Sequence, residues 1–285
     1  MEEPKRIQYS SDNPVLNNPY LEPKFHYDTD VDGNVDYSTI INGRRPYGYD
    51  ISIVPQKAKL VKALFTQEDF SSTNPNSDFI NGIRKEVKTW RTAGYPKASR
   101  ITKELLDFWF SNSQRLPQQR LFFCQQEAVE TAVWLNEIAD KDANMGNFYL
   151  RELQDRRHTV SNDDDDILPR TAFKMATGTG KTVVMAMLIL YHYLNKKANP
   201  MDTRYADHFL VCAPGITIRD RLGVLHLDNS QRSNNYDRSD YYHQRGLIPM
   251  QFEKELGGLN SCITIINYQQ FLRRTFSGKH ASPLD

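Results

Sequence analysis

The chain has 285 residues, of which 39% are hydrophobic and 25% are charged, and its net charge is +1. This composition is typical of a soluble globular protein, and the length predicts about two domains. The balanced charge excludes an overall electrostatic attraction to nucleic acid, so contact with DNA would need a local basic patch. The longest apolar run, Val183–Tyr191, is too short for a membrane span, and the polar N-terminal sequence is unlike a signal peptide. We therefore expect a cytoplasmic protein with no membrane partner.

Residues 1 to about 60 carry proline, glycine, asparagine and aspartate at short intervals, which predicts little regular structure. Tyrosine and isoleucine are interleaved with these residues, so we expect an ordered arm that lies on another part of the protein. We place this extended N-terminal arm at residues 1–75.

From residue 76 the apolar residues recur at helical spacing. The pattern predicts four helices, at about 76–94, 99–112, 117–139 and 143–158. Together they define an α-helical region at 76–160. The four consecutive aspartates Asp163–Asp166 then predict a solvated linker.

Beyond the linker, predicted strands alternate with predicted helices, which favours an α/β fold with a parallel sheet at 161–285. The predicted strands are 170–175, 208–213 and 262–266. The predicted helices are 181–197, 216–224 and about 249–256. The three cysteines, Cys124, Cys212 and Cys262, each lie in an apolar run and are expected to be buried, reduced thiols.

A glycine-rich loop joins the first of these strands to its helix. It consists of Thr177, Gly178, Thr179, Gly180, Lys181 and Thr182. Glycines let the backbone wrap closely around a phosphate, and the helix start adds partial positive charge. Lys181 would reach the β- and γ-phosphates of a nucleotide, and the Thr182 hydroxyl would ligate Mg²⁺. Chance would produce such a G-x-G-K-T string in roughly one chain of this length in two hundred.

The sequence "MATGTGKT" resembles motif I of superfamily-2 helicases and translocases. In this sequence Met175 replaces the first glycine of the common phosphate-loop pattern. Upstream, "FFCQQEAVETAVWL" resembles the Q motif of these enzymes, with Gln125 as the glutamine that reads adenine. Downstream, "FLVCAPGITIRDRL" resembles motif Ia and "CITIINYQQF" resembles motif Ib. The resemblance implies DNA contacts by the residues Thr217, Arg219, Asn267 and Tyr268.

Taken together, "FFCQQEAVETAVWLNE", "FKMATGTGKT" and "APGITIRDRLGVL" resemble the Res subunit of type III restriction enzymes. This resemblance implies a RecA-like P-loop domain that uses ATP and Mg²⁺ to move along or remodel double-stranded DNA. It also implies a DNA methyltransferase (Mod) subunit as a partner. Lys181 and Thr182 would be the catalytic residues on this chain, and Thr182 the metal ligand.

The chain departs from the family pattern because it contains no Asp-Glu dipeptide, which motif II requires for magnesium and water. We therefore expect the N-terminal part of a longer helicase, with an incomplete RecA-like domain, uncovered apolar surface and no activity by itself. Two alternatives stay open at this point. One is a non-catalytic nucleotide-binding or interaction module, and the other is a P-loop kinase.

Overall fold

The computed structural model describes residues 7–8, 17–29, 34–47, 75–111, 115–142, 145–158, 171–228, 230 and 238–271. The chain forms two compact units. The first contains Met1–Ala98 and Leu121–Thr179, and the second contains Ser99–Arg120 and Gly180–Asp285. The division into segments 1–75, 76–160 and 161–285 stays a prediction. The aspartate run Asp163–Asp166 and the start of the predicted strand at Arg170 lie outside the described residues.

The first unit carries a three-stranded antiparallel sheet in the segment predicted to have little regular structure. Its strands are β1 (Ile7–Gln8), β2 (Phe25–Thr29) and β3 (Val35–Asn42), in the order β1-β3-β2. Phe25 lies opposite Asn42, and the register shifts after Tyr27. The prediction is therefore wrong for these residues, because β-branched and aromatic side chains in "VDYSTIIN" favour a strand once a partner strand is present.

In the part of the first unit that the structure describes, the α-helices are α1 (Pro75–Thr92), α3 (Phe123–Val133) and α4 (Met145–His158). A π-helical turn (Trp134–Ile138) and a 3-10 turn (Ala139–Lys141) extend α3. The predicted helices at 76–94 and 143–158 are confirmed. The single helix predicted at 117–139 is interrupted, because Leu116 and Arg120 adopt extended backbone on either side of a short 3-10 turn (Pro117–Gln119). The core of this unit includes the buried side chains of Phe79, Val87, Trp90, Val129, Val133, Trp134 and Tyr149.

A fully buried carboxylate, Glu130, links α1 to α3. It accepts hydrogen bonds from Arg91 Nε (2.7 Å), the Tyr95 hydroxyl (2.7 Å) and Gln126 Nε2 (2.8 Å). Burial opposes the charge of Arg91, but the hydrogen bond and the charge of Glu130 leave the pKa of Arg91 raised. A buried charge needs such partners, since an unpaired one costs several kcal/mol, on the order of 3–5.

The second unit is built around α5 (Lys181–Ala198), which is buried along most of its length, as its nearly continuous apolar sequence predicts. The helix α2 (Arg100–Leu106), followed by a π-helical turn (Asp107–Ser111), packs against it. Asn195 on α5 is fully buried, and its Nδ2 donates to Thr102 Oγ1 at 2.9 Å. Ser99 Oγ donates to Asn195 Oδ1 at 2.5 Å, so both ends of the amide are paired within this unit.

Two parallel strands, β4 (Phe209–Ala213) and β5 (Ile263–Asn267), form the sheet of the second unit. The short helices α6 (Ile216–Arg221) and α7 (Tyr241–Gln244) and a 3-10 segment (Met250–Cys262) connect them. The predicted strands at 208–213 and 262–266 are confirmed to within one residue.

The strand predicted at 170–175 is wrong for residues 171–175, which the structure describes as irregular chain. Among the described residues, β4 and β5 pair only with each other. A segment that pairs with no neighbouring strand forms no ladder of backbone hydrogen bonds. Its strand propensity alone is then too weak to make it a β-strand.

One face of the β4–β5 pair is open. Val211 and Ala213 point into the unit, whereas Leu210 is 60% exposed and Cys212 is exposed. The prediction that all three cysteines are buried is therefore wrong. Cys212 is exposed because alternate strand residues face opposite sides, and Cys124 and Cys262 are only half-buried. Of the helices that the structure describes, none is long and apolar enough to cross a membrane.

Candidate nucleotide loop and DNA-facing edge

The glycine-rich loop has the backbone that only glycine adopts readily. Gly178 and Gly180 both have φ of 78°, in the left-handed region. Gly180 is also the N-cap of α5, and its carbonyl accepts hydrogen bonds from Val183 N (2.9 Å) and Val184 N (3.3 Å). The division between the two units falls within this loop, after Thr179.

The polar residues of the loop lie just before α5 and in its first turn. Thr177 and Lys181 are exposed, and Thr182 is half-buried in the first turn of the helix. Thr179 Oγ1 donates to the carbonyl of Ala176 at 2.7 Å, which steadies the turn on its N-terminal side. Left-handed glycines before a helix start form a concave group of amides with partial positive charge, so the loop fits a phosphate. Its residues also include a hydroxyl, on Thr182, that suits Mg²⁺.

Gln125 contacts this loop directly. Its side chain is only 4% exposed. Its Oε1 accepts from Phe122 N at 2.8 Å, and its Nε2 donates to the carbonyl of Thr179 at 3.0 Å. The donor and acceptor character of these two partners fixes the orientation of the amide. Adenine reading by Gln125 stays a prediction. A side-chain amide has two N–H donors and two acceptor lone pairs, so these two bonds leave one of each for adenine.

The contact between Gln125 and Thr179 could not be read from the sequence. The two residues are 54 positions apart, and the sequence pattern assigned Gln125 only to the base of the nucleotide. Cys124, beside Gln125, has a pKa raised by burial. A raised pKa lowers the fraction of the reactive thiolate form.

The four residues predicted to contact DNA lie at one edge of the parallel pair. Ala213 and Asn267 are register partners at the carboxyl ends of β4 and β5. Thr217 and Arg219 follow the first strand on α6, and Tyr268 follows the second. Carboxyl ends of parallel strands are a common place for ligand contacts in open α/β sheets.

The exposures of these residues differ. Thr217 is exposed, Tyr268 is 47% exposed, and Arg219 has a 38% exposed side chain that pairs with Asp220 at 2.9 Å. Asn267 is only 8% exposed, and its Oδ1 has no hydrogen-bond partner among the described residues. Asn267 is therefore less accessible than the other three residues.

Comparison with known protein families matches residues 118–282 to the family described as type III restriction enzyme, res subunit. Comparisons with curated proteins and with solved structures gave no match. The matched region contains Gln125, the glycine-rich loop, β4 and β5, and it covers more than half of the chain. The chain belongs to the family of type III restriction enzyme Res subunits.

Proposed function

We propose that this chain is the ATP- and DNA-binding part of an ATP-dependent DNA helicase or translocase of the type III restriction type, with a partial RecA-like fold. The observation that supports it best is the loop backbone. Two left-handed glycines lead into an 18-residue helix that begins at Lys181. Family membership supports the same reading, since it implies a helicase-like, ATP-dependent function on DNA.

In this proposal the loop amides and Lys181 hold the phosphates of ATP, and the Thr182 hydroxyl is a magnesium ligand. Mg²⁺, when bound, supplies positive charge that neutralises the phosphate oxygens. Gln125 contributes base recognition, because an amide can donate to adenine N7 and accept from the N6 amine.

Double-stranded DNA is the proposed substrate, at the carboxyl edge of β4 and β5. The exposed Thr217 hydroxyl and the Arg219 guanidinium suit contacts with phosphate oxygens, and the exposed Tyr268 ring suits stacking or packing against the DNA. Of the four candidates, Asn267 is the one whose burial argues for a supporting role. A Mod methyltransferase subunit is the proposed protein partner, on family membership alone.

A second candidate, a nucleotide-binding module that does not hydrolyse ATP, has one observation in its favour. The sequence contains no adjacent Asp-Glu pair to position magnesium and water. Both candidates bind nucleotide at the same loop and differ in turnover.

The test is a nucleotide titration of the wild type and of Lys181→Ala by calorimetry. We expect ATP binding to be abolished, because Lys181 supplies the only side-chain charge of the loop itself. Lys254→Ala is the matched control, since Lys254 is also exposed in the second unit and its loss changes the net charge equally. Equal ATP affinity of wild type and Lys181→Ala would rule out the proposed phosphate site.

A further inference from the structure

Pro19 and Tyr20 of the arm contact the first turn of α3. The carbonyl of Pro19 accepts a hydrogen bond from Phe123 N at 2.8 Å, and the Tyr20 ring stacks on Phe122 with centroids 5.4 Å apart. The first N–H groups of a helix need partners from outside it. The arm therefore supplies a hydrogen-bond acceptor to the first turn of α3. The same turn carries Gln125, whose side chain donates to the glycine-rich loop.

A two-point ion pair joins the arm to the next turn of α3. Arg44 Nη1 and Nη2 donate to the two carboxylate oxygens of Glu127, the second bond measuring 2.5 Å. The side chains are 24% and 17% exposed. The Arg44 guanidinium also lies over the Phe123 ring, 5.5 Å from its centroid. Bidentate, partly buried pairs of this kind are stronger and more directional than exposed ion pairs.

The arm is itself held in place beside this pair. Tyr47 N donates to Asn81 Oδ1 at 2.8 Å, and Asn81 Nδ2 donates to the carbonyl of Tyr47 at 3.2 Å. Arg84 Nε on α1 lies 3.9 Å from Glu127 Oε2, and the Arg84 guanidinium lies over the Tyr47 ring. Arg44 therefore projects from a segment of the arm that α1 also fixes.

Gln125 and Glu127 point in directions about 200° apart around the helix axis, because each residue turns the helix by about 100°. The loop contact at Thr179 and the arm contact at Arg44 consequently act on different sides of α3. Displacing the helix away from the arm would change the bond between Gln125 and Thr179. All of these residues belong to the first unit.

We propose that the Arg44–Glu127 pair is a positioning device that holds Gln125 against Thr179 and so sets the affinity of the glycine-rich loop for nucleotide. Arg44 acts through α3 and is a positioning residue. The proposal rests on the proposed function for its ligand. It adds a role for the N-terminal arm in nucleotide binding.

The experiment measures ATP binding by calorimetry for the wild type, Arg44→Ala and Arg44→Lys. We expect the Kd of Arg44→Ala to rise about tenfold, which corresponds to about 1.4 kcal/mol. Arg44→Lys should recover only part of the affinity, since lysine cannot form the two-point pair. Arg45→Ala is the matched control, because Arg45 is the exposed neighbour on the same arm, and its Kd should equal that of the wild type.

Stoichiometry separates positioning from simple stabilisation. If Arg44 only stabilised the fold, Arg44→Ala would lower the number of sites per chain and leave the Kd of the folded fraction unchanged. That result would overturn the proposal. The double variant Arg44→Ala/Gln125→Ala adds a coupling test, in which we expect no further loss of affinity beyond that of Gln125→Ala. Fully additive losses would also overturn it.

Hydrogen exchange of the nucleotide-free protein tests whether Arg44 positions the loop, and this test does not depend on ATP binding. Amides in peptides that cover 175–182 should exchange faster in Arg44→Ala than in Arg45→Ala or the wild type. Unchanged exchange would overturn the positioning role even if ATP binds. Faster exchange in a protein that binds no ATP would instead support the arm-to-loop contact and reject the nucleotide function.

Discussion

At the scale of single residues, close packing against Tyr149 explains why position 82 holds a glycine. A Cβ at this position would overlap the hydroxyl of Tyr149 and lie 3.1 Å from its ring carbon Cζ. Tyr149 is buried, and burial raises its pKa, so the hydroxyl stays neutral. The small residue thus permits α1 to approach α4.

We therefore predict that Gly82→Ala destabilises the protein by about 1–3 kcal/mol through overpacking. Helix propensity alone would give the opposite sign, since alanine is favoured over glycine by about 1 kcal/mol inside a helix. Chemical denaturation of wild type and variant measures the difference. The variant Gly82→Ala/Tyr149→Phe removes the overlapping hydroxyl and should recover part of the loss. A stability gain in Gly82→Ala would contradict the predicted clash.

At the scale of elements, the parallel pair β4–β5 brings together groups that are far apart in the chain. Thr217 and Arg219 follow the first strand, and Tyr268 follows the second about 50 residues later. Gln269 Nε2 reaches the carbonyl of Pro214 at 3.4 Å across this edge. The edge therefore presents a hydroxyl, a guanidinium and an aromatic ring from two connections of the same sheet.

We predict that Arg219→Ala weakens binding of duplex DNA and lowers the slope of log affinity against log salt concentration by about 1, as expected for one lost phosphate contact. Fluorescence anisotropy at several salt concentrations measures both quantities. Arg100→Ala is the control, because Arg100 is also in the second unit, is exposed and pairs with a carboxylate, Glu104. An equal effect of the two substitutions would show that the edge has no special role.

At the scale of the whole molecule, the glycine-rich loop crosses from one compact unit to the other after Thr179. The first unit contains Gln125 and the arm, and the second contains Lys181, Thr182 and the β4–β5 edge. The recognisable carboxylate pair of motif II is missing from the 285 residues. Lys181 and Thr182, the proposed phosphate and magnesium ligands, carry no carboxylate that could orient the attacking water.

We consequently predict that this chain alone binds ATP weakly and does not hydrolyse it, with or without duplex DNA. A phosphate-release assay measures turnover, and the expected rate is well below about 1 s⁻¹, the lower end for ordinary enzymes. Turnover above that rate, stimulated by DNA and lost in Lys181→Ala, would reveal a catalytic carboxylate elsewhere in the chain.

The sequence by itself determined the features that depend on local spacing. The run G-x-G-K-T, the long apolar helix that follows it and the resemblance to Res subunits all come from residues close together in the chain. The α1, α4 and α5 helices and the strands β4 and β5 were predicted for the same reason, since periodicity is a local property.

Only the tertiary structure decided which residues pair across long distances. The sheet in the arm and the irregular course of 171–175 depend on whether a neighbouring strand pairs with the segment. The exposure of Cys212 depends on which face of β4 packs into the unit. The bonds from Gln125 to Thr179 and from Arg44 to Glu127 span 54 and 83 residues. Buried polar groups need hydrogen-bond partners, and in these pairs the partner is distant in the sequence. Folding brings the two residues together, and their spacing in the sequence does not predict it.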